Sequence, residues 1–310
     1  MATEANPRDP ERVAAASRVA LVGAGTMGGA MAARLLDEGW TVRVHDIVRA
    51  RVDALAAMGA TACASAAEAA RGASALIVCV VDAAQCEDVL FGTDGASHVL
   101  RPGQCVVLCP TIAPEDVEHF AARLAHRGID AIDAPMSGGP VRARDGSMSL
   151  MVACESAVFE RHRALLQALS SRLSRIGERL GDGARTKLVN NLLAGINLVG
   201  AAEAIALAQR LGLDAARTLE VIGESSGQSW IGTDRMRRAL QGDTKPQALM
   251  TLLHKDTRLA LEMARACGFE GPLGAAAHGV FDAALRAGLA DADDSALLRL
   301  LAGQHNPPRN

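Results

Sequence analysis

The sequence predicts an α/β N-terminal domain with a mainly parallel sheet, a long interdomain helix, and an all-α C-terminal domain. Three observations predict it. Short apolar runs alternate with helical text over residues 18–180. The stretch Gly181 to Gly212, GDGARTKLVNNLLAGINLVGAAEAIALAQRLG, has no proline and is dominated by alanine and leucine, as one continuous helix requires. Everything beyond it patterns as helix. The expected boundaries are a loose tail at 1–17, a first domain at 18–180 and a helical domain at 181–310, of which 181–211 is the long helix.

A chain of 310 residues, 49% apolar and 22% charged, buries enough surface for two globular domains. A net charge of −3 gives no electrostatic footprint for nucleic acid or an anionic membrane, so neither is expected as a partner. The start, MATEANPRDPERVAAAS, lacks the apolar core of a signal peptide and carries too many acids for a transit peptide, which points to the cytoplasm. The seven cysteines lie mostly in apolar, strand-like text and read as small buried hydrophobes. No pair of them has zinc-ligand spacing with histidines nearby, so no metal is expected. Tyrosine is absent, which excludes a tyrosine hydroxyl as acid or base.

Taken in order, Arg18 to Val22 is an apolar run, Gly23-Ala24-Gly25-Thr26-Met27-Gly28 follows at once, and AMAARLLDEG continues as helix. Strand, glycine turn and helix together form the context of a dinucleotide-binding loop in a Rossmann-type domain, with the pyrophosphate on the helix N-terminus. The second strand, TVRVHD, ends at Asp46, where a carboxylate bonds ribose hydroxyls and repels a 2′-phosphate. NAD is therefore expected, while Arg49 and Arg51 just beyond leave NADP possible. Later strands end at Val80-Val81 and before Pro110-Thr111, so Val80, Val81, Gln85 and Thr111 are expected to line the cofactor crevice, although each position also suits ordinary loop chemistry.

After the strand IDAIDA comes DAPMSGGPVRARDGSMSLMVA, read as a loop that re-enters a strand. Ser137, Gly138 and Gly139 offer a hydroxyl and consecutive N–H groups, either a nest for a substrate carboxylate or a glycine-rich turn. On the long helix, Asp182 is the expected cap, and the apolar composition all round suggests burial. A membrane span is the rival reading. Asn190, Asn191, Asn197 and Glu203 are expected to interrupt every window long enough to cross a bilayer. Against this background Lys187, Asn191 and Gly195 share one face. Lys187 either snorkels to water or sits in a cleft with a perturbed pKa.

With these motifs in order, the chain resembles the β-hydroxyacid dehydrogenases, the 3-hydroxyisobutyrate dehydrogenase-like enzymes. The resemblance rests on GAGTMGGAMAARLL, DAPMSGGPVRARDG, GDGARTKLVNNLLAG and HKDTRLA, and spans Arg18 to Gly303. VVDAAQCEDVLFGTDG, PTI, SSGQSW and DDSALLRLLAG are similar to the L-threonate dehydrogenase branch. It implies hydride transfer between a small hydroxy acid and NAD(P). Lys187 would be the catalytic lysine, Asn191 the substrate-orienting asparagine and Ser137-Gly138-Gly139 the carboxylate loop. Thr111, Gln85 and Lys255 would lie close to the cofactor, Lys255 also near the reacting centre and the substrate. A homodimer or homotetramer is implied as well. Pro110, Met136, Pro140 and Arg142 depart from the common pattern and bear on substrate size and charge. His254 is the rival base. Competing readings are a tartronate or succinic semialdehyde-type reductase, an imine-reducing relative, and a non-catalytic NAD-binding module, for which Lys187, Asn191 and the Ser-Gly-Gly loop would be superfluous.

Overall fold

The computed structural model describes residues 18–303; the predicted tail and the last residues, QHNPPRN, lie outside them. The chain forms two compact units that divide between Lys187 and Leu188.

In the first unit, β1 (Arg18–Val22), β2 (Thr41–His45), β3 (Thr61–Ala62), β4 (Ala75–Val78), β5 (Cys105–Leu108) and β6 (Asp130–Asp133) pair in parallel, in the order β3-β2-β1-β4-β5-β6. β7 (Met136–Ser137) and β8 (Ser149–Ala153) then run antiparallel, β8 to β6 and β7 to β8, and β9 (Arg172–Gly177) lies parallel to β8. Beyond the exposed Arg18, the central strands RVALV, ALIV and CVVL are apolar because both faces are covered. Val19, Leu21, Ile77 and Val107 pack on one side. Ala20, Val22, Leu76, Val78, Val106 and Leu108 pack on the other. The connecting helices are α1 (Thr26–Asp37), α2 (Arg49–Ala56), α3 (Ala66–Ala70), α4 (Ala83–Phe91), α5 (Pro114–Ala125), α6 (Gly139–Asp145) and α7 (Ser156–Leu169). The last three strands make the sheet mixed at one side, which matches the expected mainly parallel sheet.

One segment differs from its expected form. The stretch read as a loop holds β7 and the two-turn helix α6, which starts at the Gly-Gly-Pro and ends on Gly146 in the left-handed region. Proline is accepted in a first helical turn, and glycine at the end, so the residues that suggested a turn are the two caps of a short helix.

The helix α8 (Asp182–Arg210) has the expected length, but Asp182 does not cap it. Its carboxylate is held by Arg185, at 3.0 Å, and the first N–H groups go elsewhere. Nor is α8 buried all round: Val189, Leu193, Gly200, Ala204 and Leu207 form an exposed, largely apolar stripe, while Leu198, Ala202 and Ile205 are in the core. The asparagines also fail to break its apolar run: by length and composition alone α8 could cross a membrane. Dispersed amides lower the mean hydropathy of an alanine- and leucine-rich helix too little to exclude a span.

In the second unit, α9 (Ala215–Gly223), α10 (Trp230–Leu240), α11 (Met250–Ala266), α12 (Pro272–Arg286) and α13 (Leu297–Leu301) enclose a core of Leu198, Ile205, Met236, Met250, Phe281 and Leu297. Two buried ion pairs, Arg235–Asp294 at 2.6 Å and Arg238–Asp293 at 3.1 Å, tie α10 to the turn before α13. Asp293 also accepts the Gln247 N–H at 2.8 Å.

Candidate active site

Parallel pairing places the ends of β1 to β6 at one edge. A single rung crosses the sheet as His45, Val22, Val78, Leu108 and Asp133. The residues just beyond it are the glycine turn, Asp46, Val80-Val81 and Pro110-Thr111. The carboxyl edge of such a sheet is where ligands bind.

The glycine turn suits a pyrophosphate. Gly28 packs directly on the Gly23 carbonyl, leaving no room for a Cβ. A Cβ on Gly25 would meet nothing nearer than an Arg51 Nη1 at 4.0 Å, so the backbone is open at the position where phosphate oxygens approach. α1 begins at Thr26 and Met27 with no side-chain cap and no acid in its first turn, leaving its N–H groups and dipole for an anion. Asp46, one residue past β2, accepts the Val48 N–H at 2.7 Å and lies 3.4 Å from an Arg51 Nη1. Arg49 is drawn off to Asp53, at 2.8 Å, so of the two arginines Arg51 alone faces Asp46. A carboxylate and a guanidinium therefore stand side by side at the end of β2.

Val80 is half-buried and Val81 exposed. The Gln85 side chain accepts the Val81 N–H at 3.0 Å, while its own N–H donates to Asp82 at 2.9 Å. That reciprocal cap of α4 accounts for the position of Gln85. Thr111 is half-buried beyond β5.

Ser137 ends β7, and Gly138 and Gly139 take φ of +130° and +74°, conformations that L side chains rarely adopt. Nothing lies within 4 Å of a Cβ position on Gly139, so its backbone is open to a ligand. The Arg142 side chain packs over Gly138.

The start of the helix that carries the lysine is fixed from β6. The Asp133 carboxylate, 1% exposed, accepts the Gly181 and Ala184 N–H groups, each at 3.0 Å, and so caps α8 in place of Asp182. Burial pushes its carboxyl up to about 6, against the pull of the Ala184, Gly181 and Gly183 N–H groups. One turn further, Lys187 is 8% exposed, so it does not reach out to solvent.

In the second unit Asn191 is buried, and its amide donates to Asp256 on α11 at 2.6 Å. The other oxygen of Asp256 accepts from the Lys255 ammonium at 2.8 Å. Asn190 donates to the Asn191 oxygen at 2.9 Å, so the orientation of the Asn191 amide is determined at both ends. One turn on, Gly195 permits the close crossing of α8 and α11: a Cβ there would lie 2.8 Å from Thr257 Cγ2. Asp256, 6% exposed, was not singled out from the sequence, although it sits inside HKDTRLA. Nor was Asp133. His254, the rival base, is turned to Asp282 on α12, at 2.7 Å.

Residues 18–177 match the NAD-binding domain of 6-phosphogluconate dehydrogenase, and residues 181–301 the NAD-binding domain of NADP-dependent 3-hydroxyisobutyrate dehydrogenase. The L-threonate dehydrogenase of Cupriavidus necator is 36% identical over 93% of this chain and 97% of its own. The chain belongs to the β-hydroxyacid dehydrogenase family. Among solved structures, a 3-hydroxyisobutyrate dehydrogenase from Salmonella typhimurium superposes with a TM-score of 0.86 at 36% identity, covering 91% of this chain and 99% of that one. The protein Psf3, solved with NADP+, superposes with a TM-score of 0.85 at 30% identity, covering 91% of this chain and 99% of its own. Like other β-hydroxyacid dehydrogenases, the chain is an NAD(P)-dependent oxidoreductase of small hydroxy acids, with the glycine turn, the open α1 N-terminus and Asp46 as the groups that fit the dinucleotide.

Proposed function

We propose that this chain oxidises a small hydroxy acid of the L-threonate type, with NAD as the preferred cofactor and Lys187 as general base. The observation that carries this reading is the burial of Lys187 one helical turn before Asn191, whose amide is held by Asp256. A lysine kept only for solubility would extend into water. In the oxidation direction the neutral Lys187 amine takes the substrate hydroxyl proton and becomes an ammonium ion, while the carbinol carbon gives up hydride. Bound NAD supplies the hydride acceptor. In reduction Lys187 returns the proton. Asn191 orients the reacting hydroxyl, and Lys255, paired with Asp256, brings positive charge to the reacting centre. Ser137, Gly138 and Gly139 hold the substrate carboxylate through the hydroxyl and the exposed N–H groups. Gly23, Gly25, Thr26, Met27, Gly28, Val80, Val81, Gln85 and Thr111 line the cofactor, and Asp46 takes its ribose.

Support for an L-threonate-like substrate is the 36% identity to an L-threonate dehydrogenase along nearly the whole chain. The exposed apolar stripe of α8 supports a homodimer or homotetramer, since such a stripe is ordinarily covered by a second copy. Light scattering at micromolar concentration tests the assembly: a particle of 32.1 kDa, the mass of one chain, would remove it. The substrate is tested by assaying L-threonate, D-glycerate, 3-hydroxyisobutyrate and 4-hydroxybutyrate, each with NAD and NADP, by the absorbance of the reduced cofactor. The highest kcat/KM is expected for L-threonate with NAD. A clear preference for 3-hydroxyisobutyrate would overturn the substrate assignment and leave the reaction class in place.

A further inference from the structure

Two helices of the second unit carry a side-chain cluster that the dehydrogenase chemistry does not use. His254 on α11 and His278 and Asp282 on α12 each offer one ligand atom, and those atoms all lie within 4.8 Å of one another. His254 Nε2 is 2.7 Å from Asp282 Oδ1, and His278 Nε2 is 3.8 Å from Asp282 Oδ2. The two imidazoles stack with centroids 4.9 Å apart and planes 25° from parallel. His278 and Asp282 are four residues apart, which puts both on one face of α12 towards α11.

The arrangement around His278 selects its tautomer. Thr257 is fully buried, and its hydroxyl lies 2.7 Å from the Leu253 carbonyl, which can only accept. The His254 carbonyl, 3.1 Å away, is likewise only an acceptor; with the single hydroxyl proton given to a backbone carbonyl, the oxygen accepts from His278 Nδ1–H at 2.9 Å. His278 Nε2 is left with its lone pair aimed at Asp282. A buried partner that fixes one ring nitrogen and frees the other is the outer support that metal-ligating histidines use. Burial holds His278 below the ordinary imidazole range, with Asp282 pulling the other way and His254, Arg258 and Arg265 adding to the depression. Arg258 is itself engaged with Glu262 at 2.7 Å.

We propose that His254 Nε2, His278 Nε2 and one carboxylate oxygen of Asp282 form a binding site for a divalent transition-metal ion of the zinc class, which clips α11 to α12. Two imidazoles and a carboxylate suit zinc, with a water completing the coordination. Asp282 is the most exposed of the three and gives the ion its way in. The cysteine spacing that argued against a metal at the sequence level does not bear on this cluster, because its three residues come from two helices.

The site is tested on the full-length protein stripped with a chelator, first with Co2+ as a spectroscopic probe and then with Zn2+ in competition with a chromophoric chelator. One ion per chain is expected, with visible d–d bands of a nitrogen and oxygen ligand set and no thiolate charge-transfer band. His278→Ala and Asp282→Asn should each weaken binding by at least about tenfold. Cys267→Ser, which removes the exposed thiol, should bind as the parent does. No stoichiometric binding by the parent protein would overturn the proposal, as would binding lost in Cys267→Ser but kept in His278→Ala. If the histidine and aspartate variants do not fold, the Co2+ spectrum of the parent protein still decides. The readout is binding and not turnover, so its failure leaves the dehydrogenase assignment standing.

Discussion

The Asp256 carboxylate accepts from the Asn191 amide on one oxygen and from the Lys255 ammonium on the other, at 2.6 and 2.8 Å. One buried acid thus orients two residues assigned to substrate and cofactor. Asp256→Ala should leave Asn191 and Lys255 in place in the chain but without a fixed direction. The expected result is a fall in kcat/KM of about 10–100-fold with the far-ultraviolet circular dichroism unchanged. Unaltered kinetics in the folded variant would show that the pair needs no such support.

Asp133 bears on stability. Its carboxylate is the partner of the Gly181 and Ala184 N–H groups, so Asp133→Ala strands two buried donors, at a cost on the order of 1–3 kcal/mol each in denaturant unfolding. The folded-state carboxyl is pushed up to about 6 from an ordinary 3.8, so the native state holds a proton that the unfolded chain releases. That contribution to stability is complete below about pH 3.8 and is lost as pH rises through about 6. Asp133→Asn should therefore flatten the pH dependence of unfolding between those limits; an unchanged profile would assign the titration to another group.

On the proposed assignment, cofactor choice turns on Asp46 and Arg51. Asp46→Ala should raise the KM for NAD and relax discrimination against NADP, because the ribose acceptor and the repelling charge go together. Arg51→Ala should do the reverse and deepen the preference for NAD, since it removes the cation nearest a 2′-phosphate. Steady-state kinetics with both cofactors checks this, and a parent protein that bound NADP more tightly than NAD would contradict the assignment of Asp46.

How much of this was legible in the sequence depended on how far apart the partners are. The glycine turn, the strand ends and the length of α8 are local, and each shows in a run of neighbouring residues. Asp256 acts on Asn191 across 65 residues, and Asp133 caps α8 from 48 residues upstream, so neither has a pattern of its own. Asp182 looked like the cap because it stands first in the helical run, yet the parallel sheet delivers a buried carboxylate to the same N–H groups. α6 escaped notice because Gly-Gly-Pro is the vocabulary of turns as well as of helix starts. The exposed stripe of α8 was hidden by a composition of alanine and leucine that leaves no polar face to read.

The central claim is that Lys187 moves the proton. Lys187 is buried on α8, and Asp133 holds the start of that helix, so substitution at Lys187 should spare the cap and the glycine turn. Lys187→Arg should restore little, because a guanidinium does not give up its proton near neutral pH. The most direct measurement is kcat and cofactor affinity for Lys187→Ala, made on material shown to be folded. The predicted result is a kcat lower by roughly 10²–10⁴-fold with cofactor binding nearly unchanged. A folded Lys187→Ala variant that turned over at close to the parent rate would contradict it.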